Sequence, residues 1–112
     1  MKLKYNNEEI ELVYSFRINV YYEQIQNKSI DFENFKTQDL ITLFYCCFIT
    51  SLQKINKPIC TMLEFLDVLD ENGGEPTLME FSNWFTKVLT AQYEMINSTV
   101  NKEDKEDLSK KK

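Results

Sequence analysis

MKLKYNNEEIELV (residues 1–13) reads as a β-hairpin, and everything beyond it reads as helix. Asn6-Asn7 is a two-residue turn signal, because Asn tolerates the positive φ angles of a type I′ turn. That turn sets Lys4 opposite Glu9 and Lys2 opposite Glu11 on one face. On the other face Leu3 meets Ile10 and Met1 meets Leu12. One side therefore carries opposite charges and the other an apolar strip, and a slip of a single residue spoils both. A lone hairpin is marginal in water, so the strip is expected to lie against the helices that follow.

Working outward, the first helix is expected from Ser15, as N-cap, to about Gln26. Ile18, Tyr21, Tyr22 and Ile25 form its apolar face, and Asn27 suits a left-handed end. Residues 28–36 read as a loop with a helical turn, pinned by Ile30, Phe32 and Phe35. Thr37 is expected to cap a second helix over Gln38–Lys54. There Ile41, Phe44, Phe48, Leu52 and Ile55 recur at helical spacing, with Leu43, Cys46 and Thr50 opposite. Nearly every side is apolar, so neighbours should surround this helix, and Pro58 bars its continuation. Thr61-Met62-Leu63-Glu64 is a capping box that opens a third helix, with Leu63, Phe65, Leu66 and Leu69 inward. Asn72-Gly73-Gly74 ends it. Thr77-Leu78-Met79-Glu80 reads as a second capping box and the start of a fourth helix. Its apolar face is Phe81, Trp84, Phe85, Val88 and Ile96, and its wet stripe is Glu80, Asn83, Lys87, Thr90 and Glu94. The fold class is thus mainly α: a hairpin ahead of a bundle of about four helices. One domain is expected over 1–97, with a disordered charged tail over 98–112.

Composition narrows function. The 112 residues leave room for one core. No histidine is present, which removes the commonest general base and the ordinary catalytic triads. The net charge is −5. Residues 101–112 hold five Lys and four acids, about +1, which leaves the remaining residues at about −6. An acidic body does not suit phosphate backbones, so nucleic-acid binding is not expected. Cys46, Cys47 and Cys60 make an odd count with no signal peptide, which argues for a reducing cytoplasm. Leu40–Leu52 is apolar but too short to span a bilayer.

Candidate sites are few. Cys46-Cys47 with Cys60 falls short of a zinc set, and free cysteines buried in a helix behave as small hydrophobes. A thiol nucleophile would need a lysine or a helix N-terminus to activate it. No catalytic residue, cofactor site or metal site is assigned. Glu64, Asp67, Asp70, Glu71 and Glu75 cluster on the third helix and its exit. The calcium-loop pattern fails there, since Val68 and Met79 would stand at ligand positions. The acids read as a solvated face or a contact for a basic partner. Tyr22, Tyr45 and Tyr93 are the aromatic anchors expected at the surface, because a phenol hydroxyl prefers a wet end. The partner-binding set is therefore Tyr22, Tyr45, Tyr93, Glu64, Asp67, Asp70 and Glu71.

The order of elements carries a resemblance. The hairpin leads to Tyr21-Tyr22-Glu23-Gln24-Ile25, then Leu43-Phe44-Tyr45-Cys46-Cys47, then Leu63-Glu64-Phe65-Leu66-Asp67, then Phe81-Ser82-Asn83-Trp84-Phe85. Over residues 1–97 this resembles the tail assembly chaperones of long-tailed bacteriophages and prophages. The resemblance implies a small helical protein of the host bacterial cytoplasm that coats the tape measure protein and keeps it soluble. It implies self-association along that client. It also implies a longer form, made by a translational frameshift, whose extension recruits the tail-tube protein. No enzymatic activity and no cofactor go with it. The rival reading is a small helical adaptor or inhibitor that binds one host or phage protein stoichiometrically.

Overall fold

The structure is a computed structural model and describes residues 1–92. The expected boundary at residue 97 and the tail over 98–112 lie outside the described residues. The chain divides into two compact units, Met1–Ser82 and Asn83–Lys112.

In the first unit, β1 (Lys2–Tyr5) pairs antiparallel with β2 (Glu8–Glu11). The register is Lys2↔Glu11, Leu3↔Ile10, Lys4↔Glu9 and Tyr5↔Glu8, as the turn signal predicts. Asn6 (φ 50°) and Asn7 (φ 65°) both occupy the left-handed region. Leu12 N–H donates to the Met1 carbonyl at 2.8 Å, extending the ladder one pair further. Leu3, Ile10 and Leu12 are buried. The ion pair on the charged face runs diagonally, Lys2 to Glu9 at 3.8 Å, and both side chains are exposed. Such a pair contributes little.

The hairpin is anchored by hydrogen bonds as well as by its strip. Lys4 belongs to a pair whose backbone groups point away from β2. Its N–H donates to Asn72 Oδ1 and its carbonyl accepts from Asn72 Nδ2, both at 2.9 Å. One amide thereby takes the place of a third strand along this stretch of edge. On the β2 side, Val13 N–H donates to Ser51 Oγ at 3.0 Å.

Helix α1 (Arg17–Gln26) begins two residues later than Ser15. Phe16 is the N-cap and is itself helical in φ and ψ, so a tight turn leads in. Ser15 Oγ accepts from the Arg17 N–H at 3.3 Å. Asn27 closes the helix in the left-handed conformation (φ 57°), as expected. Ile18 and Tyr22 are buried, whereas Ile25 is exposed. A 3-10 turn, Phe32–Asn34, interrupts the loop that follows.

Helix α2 (Thr37–Lys54) is the centre of the fold. Thr37 lies inside the helix and does not cap it; Lys36 is the N-cap. Asp39 does the work instead, accepting the Lys36 N–H at 3.0 Å. Every residue from Thr42 to Leu52 is buried. The buried threonine and serine hydroxyls are satisfied within the helix: Thr50 donates to the Cys46 carbonyl at 2.8 Å and Ser51 to that of Cys47 at 2.7 Å. Gln26 on α1 donates to Thr42 Oγ1 at 2.9 Å, and Tyr21 donates to Gln53 at 2.7 Å, so α1 is tied to both halves of α2. Ile55 is exposed, because the helix has already ended and Asn56 (φ 59°) turns the chain away.

Helix α3 (Met62–Glu71) begins with the predicted capping box. Glu64 N–H donates to Thr61 Oγ1 at 3.2 Å, and Thr61 N–H donates to the Glu64 carboxylate at 3.0 Å. Phe65, Val68 and Leu69 are its buried side chains. Leu63, expected inward, is 76% exposed. Phe65 packs edge-on to Phe44, with centroids 5.1 Å apart, and Phe44 stacks on Phe81 at 4.2 Å. Gly73 (φ +118°) and Gly74 (φ +68°) make the exit from α3. A Cβ on Gly73 would stand 2.8 Å from Thr77 Oγ1.

Helix α4 covers residues 75–92 of the described chain. The second capping box does not form. Pro76 fits the first turn, where its missing N–H costs no bond, and the Gly74 carbonyl already accepts the Leu78 N–H at 3.0 Å. Thr77 is therefore inside the helix, buried, and donates to the Asn72 carbonyl. In the second unit, Trp84 and Phe85 have ring centroids 6.4 Å apart. Asn83, Lys87 and Thr90 are exposed, in keeping with the predicted wet stripe; Glu94 and Ile96 lie outside the described residues.

Candidate functional site

Two of the three tyrosines assigned to the surface are in the core. Tyr22 is 0% exposed. Its hydroxyl makes no hydrogen bond of acceptable geometry, and burial with the Asp39 carboxylate nearby pushes the phenol up to about 12. Tyr45 is 8% exposed, and its hydroxyl donates to the Cys60 carbonyl at 2.6 Å. A buried backbone acceptor thus replaces the water that the hydroxyl was expected to need. Tyr93 lies outside the described residues.

The thiols are core groups too. Cys46, Cys47 and Cys60 are buried and free. Burial pushes Cys46 up to about 12 and Cys60 up to about 11, and drives Cys47 upward as well. A group held as a neutral thiol is a poor nucleophile and a poor metal ligand. Among the described residues no three carboxylate or thiol side chains converge to hold a metal, and no helix is long and apolar enough to cross a membrane.

The four acids assigned to partner binding are all exposed. Glu64 is occupied locally, since the capping N–H of Thr61 holds its carboxyl below the usual range. Asp67 and Glu71 follow it at helical spacing on α3. Asp70 projects elsewhere, onto the rim of a groove.

That groove is the most distinctive surface of the first unit. It lies where the first turns of α2, the second half of α3 and the first turns of α4 meet, and encloses about 540 Å³. Leu40, Ile41, Leu66, Leu69, Leu78 and Met79 supply its apolar lining. Thr37, Asp70 and Glu75 supply its polar lining, so its charges among the described residues are negative. Leu69 and Leu78 are buried at its base; Leu40, Ile41 and Leu66 are half-buried, and Met79 is 55% exposed. Leu63, one turn before Leu66 on α3, is exposed outside this lining.

Sequence reasoning found Asp70 and Glu75 but missed the apolar lining. A signal existed. Leu40 and Ile41 extend the apolar stretch of α2 toward its N-terminus, ahead of the fully buried run, and an apolar residue there lies over whatever packs beside the first turn. Met79 was absorbed into a capping box that does not form. Chemically, the groove can desolvate apolar side chains and attract cations through Asp70 and Glu75. No protein-family model matches this chain, and no curated protein or solved structure compared with it matches either.

Proposed function

We propose that this protein is a tail assembly chaperone of a long-tailed bacteriophage or prophage, acting in the host cytoplasm to hold the tape measure protein soluble. The observation that carries the reading is the open groove of α2, α3 and α4, an apolar surface that a partner can cover. Thiols held neutral and the lack of histidine suit a protein that works by contact alone. The order of hairpin and helices, with the segments that resemble this family, supplies the identity of the client. Recruitment of the tail-tube protein by a longer frameshifted form, and self-association along the client, belong to the same proposal.

Co-expression with the tape measure protein tests it. The client is expected in the soluble fraction with this chain and in the pellet without it. Equal pelleting in both cases contradicts the reading. A single groove also suits a small adaptor that binds one factor one-to-one. The mass of the purified complex separates the two: many copies per client for the chaperone, one for the adaptor.

A further inference from the structure

We infer that the groove between α2, α3 and α4 takes an amphipathic α-helix whose apolar stripe is flanked by Lys or Arg. The inference rests on the chaperone reading and names the chemistry of the client segment.

Three observations select this occupant. First, three helices each contribute a pair of apolar groups to one open furrow. Leu40 and Ile41 stand on α2, Leu66 and Leu69 on α3, Leu78 and Met79 on α4. A furrow walled by helices is the kind of surface that accepts the i, i+3, i+4, i+7 side chains of another helix. Second, every charged residue of the lining is acidic among the described residues. Asp70 and Glu75 carry the rim, and no described Lys or Arg joins them. A helix with acidic flanks would be repelled, whereas basic flanks are steered in and fixed in register. Third, the described lining is helical backbone with no strand edge, and the amides at the turn between α3 and α4 bond within the chain. Gly74 N–H donates to the Leu69 carbonyl at 2.8 Å, and Leu78 N–H donates to that of Gly74 at 3.0 Å. An extended peptide would find no backbone ladder to join here, so recognition falls to side chains, as it does for a helix.

The groove disfavours a small apolar metabolite. Met79, 55% exposed, is part of the lining, and the rim is open to solvent instead of closing over a ligand.

The test uses the full chain and three synthetic helical peptides of about 18 residues, roughly 27 Å long. All share one leucine stripe at i, i+3, i+4, i+7. One carries lysine flanks, one glutamate flanks and one serine flanks. Binding is read by fluorescence anisotropy at low and high salt. The lysine peptide is expected to bind at least about tenfold tighter than the glutamate peptide, a gap of about 1.4 kcal/mol, and the gap is expected to narrow with salt. The double variant Asp70→Lys with Glu75→Lys, both at exposed positions, is expected to invert that order. Met79→Glu is expected to weaken the serine peptide about tenfold. Far-ultraviolet circular dichroism of each variant establishes that it is folded before binding is read.

Equal affinity for all three peptides, or charge preference unchanged in the double variant, overturns the inference. So does a change in the oligomeric state of Met79→Glu with peptide binding intact, since the occupant is then a second copy of this chain. If Met79→Glu still solubilises the tape measure protein, the groove is not the client site and the chaperone reading survives alone. If the lysine peptide binds as expected but the client pellets on co-expression, the helix-binding groove stands and the chaperone reading fails.

Discussion

Helices α2 and α3 illustrate two uses of apolar sequence. From Thr42 to Leu52, α2 is buried on every side. Its Thr50 and Ser51 hydroxyls bond back to its own carbonyls and its cysteines are held as thiols. That stretch defines the fold and has no surface left to offer. Helix α3 buries Phe65, Val68 and Leu69 and leaves Leu63 and four acids in water. Its apolar residues exceed what its packing consumes. The comparison teaches that apolar content does not locate function here; apolar content that packing leaves uncovered does.

Substitutions can break or sharpen this contrast. The largest effect is expected in α2. Phe44→Ala removes the ring stacked on Phe81 and edge-on to Phe65, and is expected to cost about 3–5 kcal/mol in urea unfolding. A loss under about 1 kcal/mol would mean that the aromatic cluster does not organise the core.

Alkaline pH is expected to act on the core that includes this helix. Cys46, Cys60 and Tyr22 have raised pKa values in the fold, about 12, 11 and 12 against ordinary values of 9.0, 9.0 and 10.0. The unfolded chain gives up these protons first, so the stability they support is fully present below about pH 9 and is lost as pH rises toward 11–12. Thermal midpoints measured from pH 7 to 11 should fall above pH 9. A flat profile would place the thiols in water.

Gly73→Ala comes next. Its φ of +118° is foreign to L side chains, and the new Cβ would meet Thr77 Oγ1. A loss of about 1–3 kcal/mol is expected from backbone strain, with α4 remaining helical by circular dichroism. Asn72→Ala removes both amide bonds to Lys4, and about 1 kcal/mol is expected, since those bonds are solvent-exposed. Hydrogen exchange at the Lys4 amide should accelerate while α2 amides keep their protection. Smallest of all, Leu63→Ala on the outer side of α3 should stay within about 0.5 kcal/mol of the parent. A larger loss would show that Leu63 is needed for folding and is not spare surface.

How legible each part was depended on sequence distance. The hairpin register follows from thirteen contiguous residues, and the Thr61–Glu64 capping box from four, so both were read correctly. Tyr45 was misplaced because its acceptor, the Cys60 carbonyl, lies fifteen residues away across a chain reversal. Tyr22 was misplaced because a phenol was assumed to need water, whereas here it is enclosed by α1 and α2 with its hydroxyl unsatisfied. The start of α4 was misread because two signals competed within one turn, and Gly74 with Pro76 prevailed over Thr77. The groove needs Leu40, Leu66 and Met79 at once, contributed by three helices. No local pattern brings those together; only the packing of α3 and α4 against α2 does.

Hydrogen exchange of this chain alone and with its co-purified client tests the central claim most directly. New protection is expected at residues 37–41, 66–71 and 75–79, the segments that line the groove, with the core of α2 unchanged. Protection confined to the hairpin and α1, or none at all, would contradict the account.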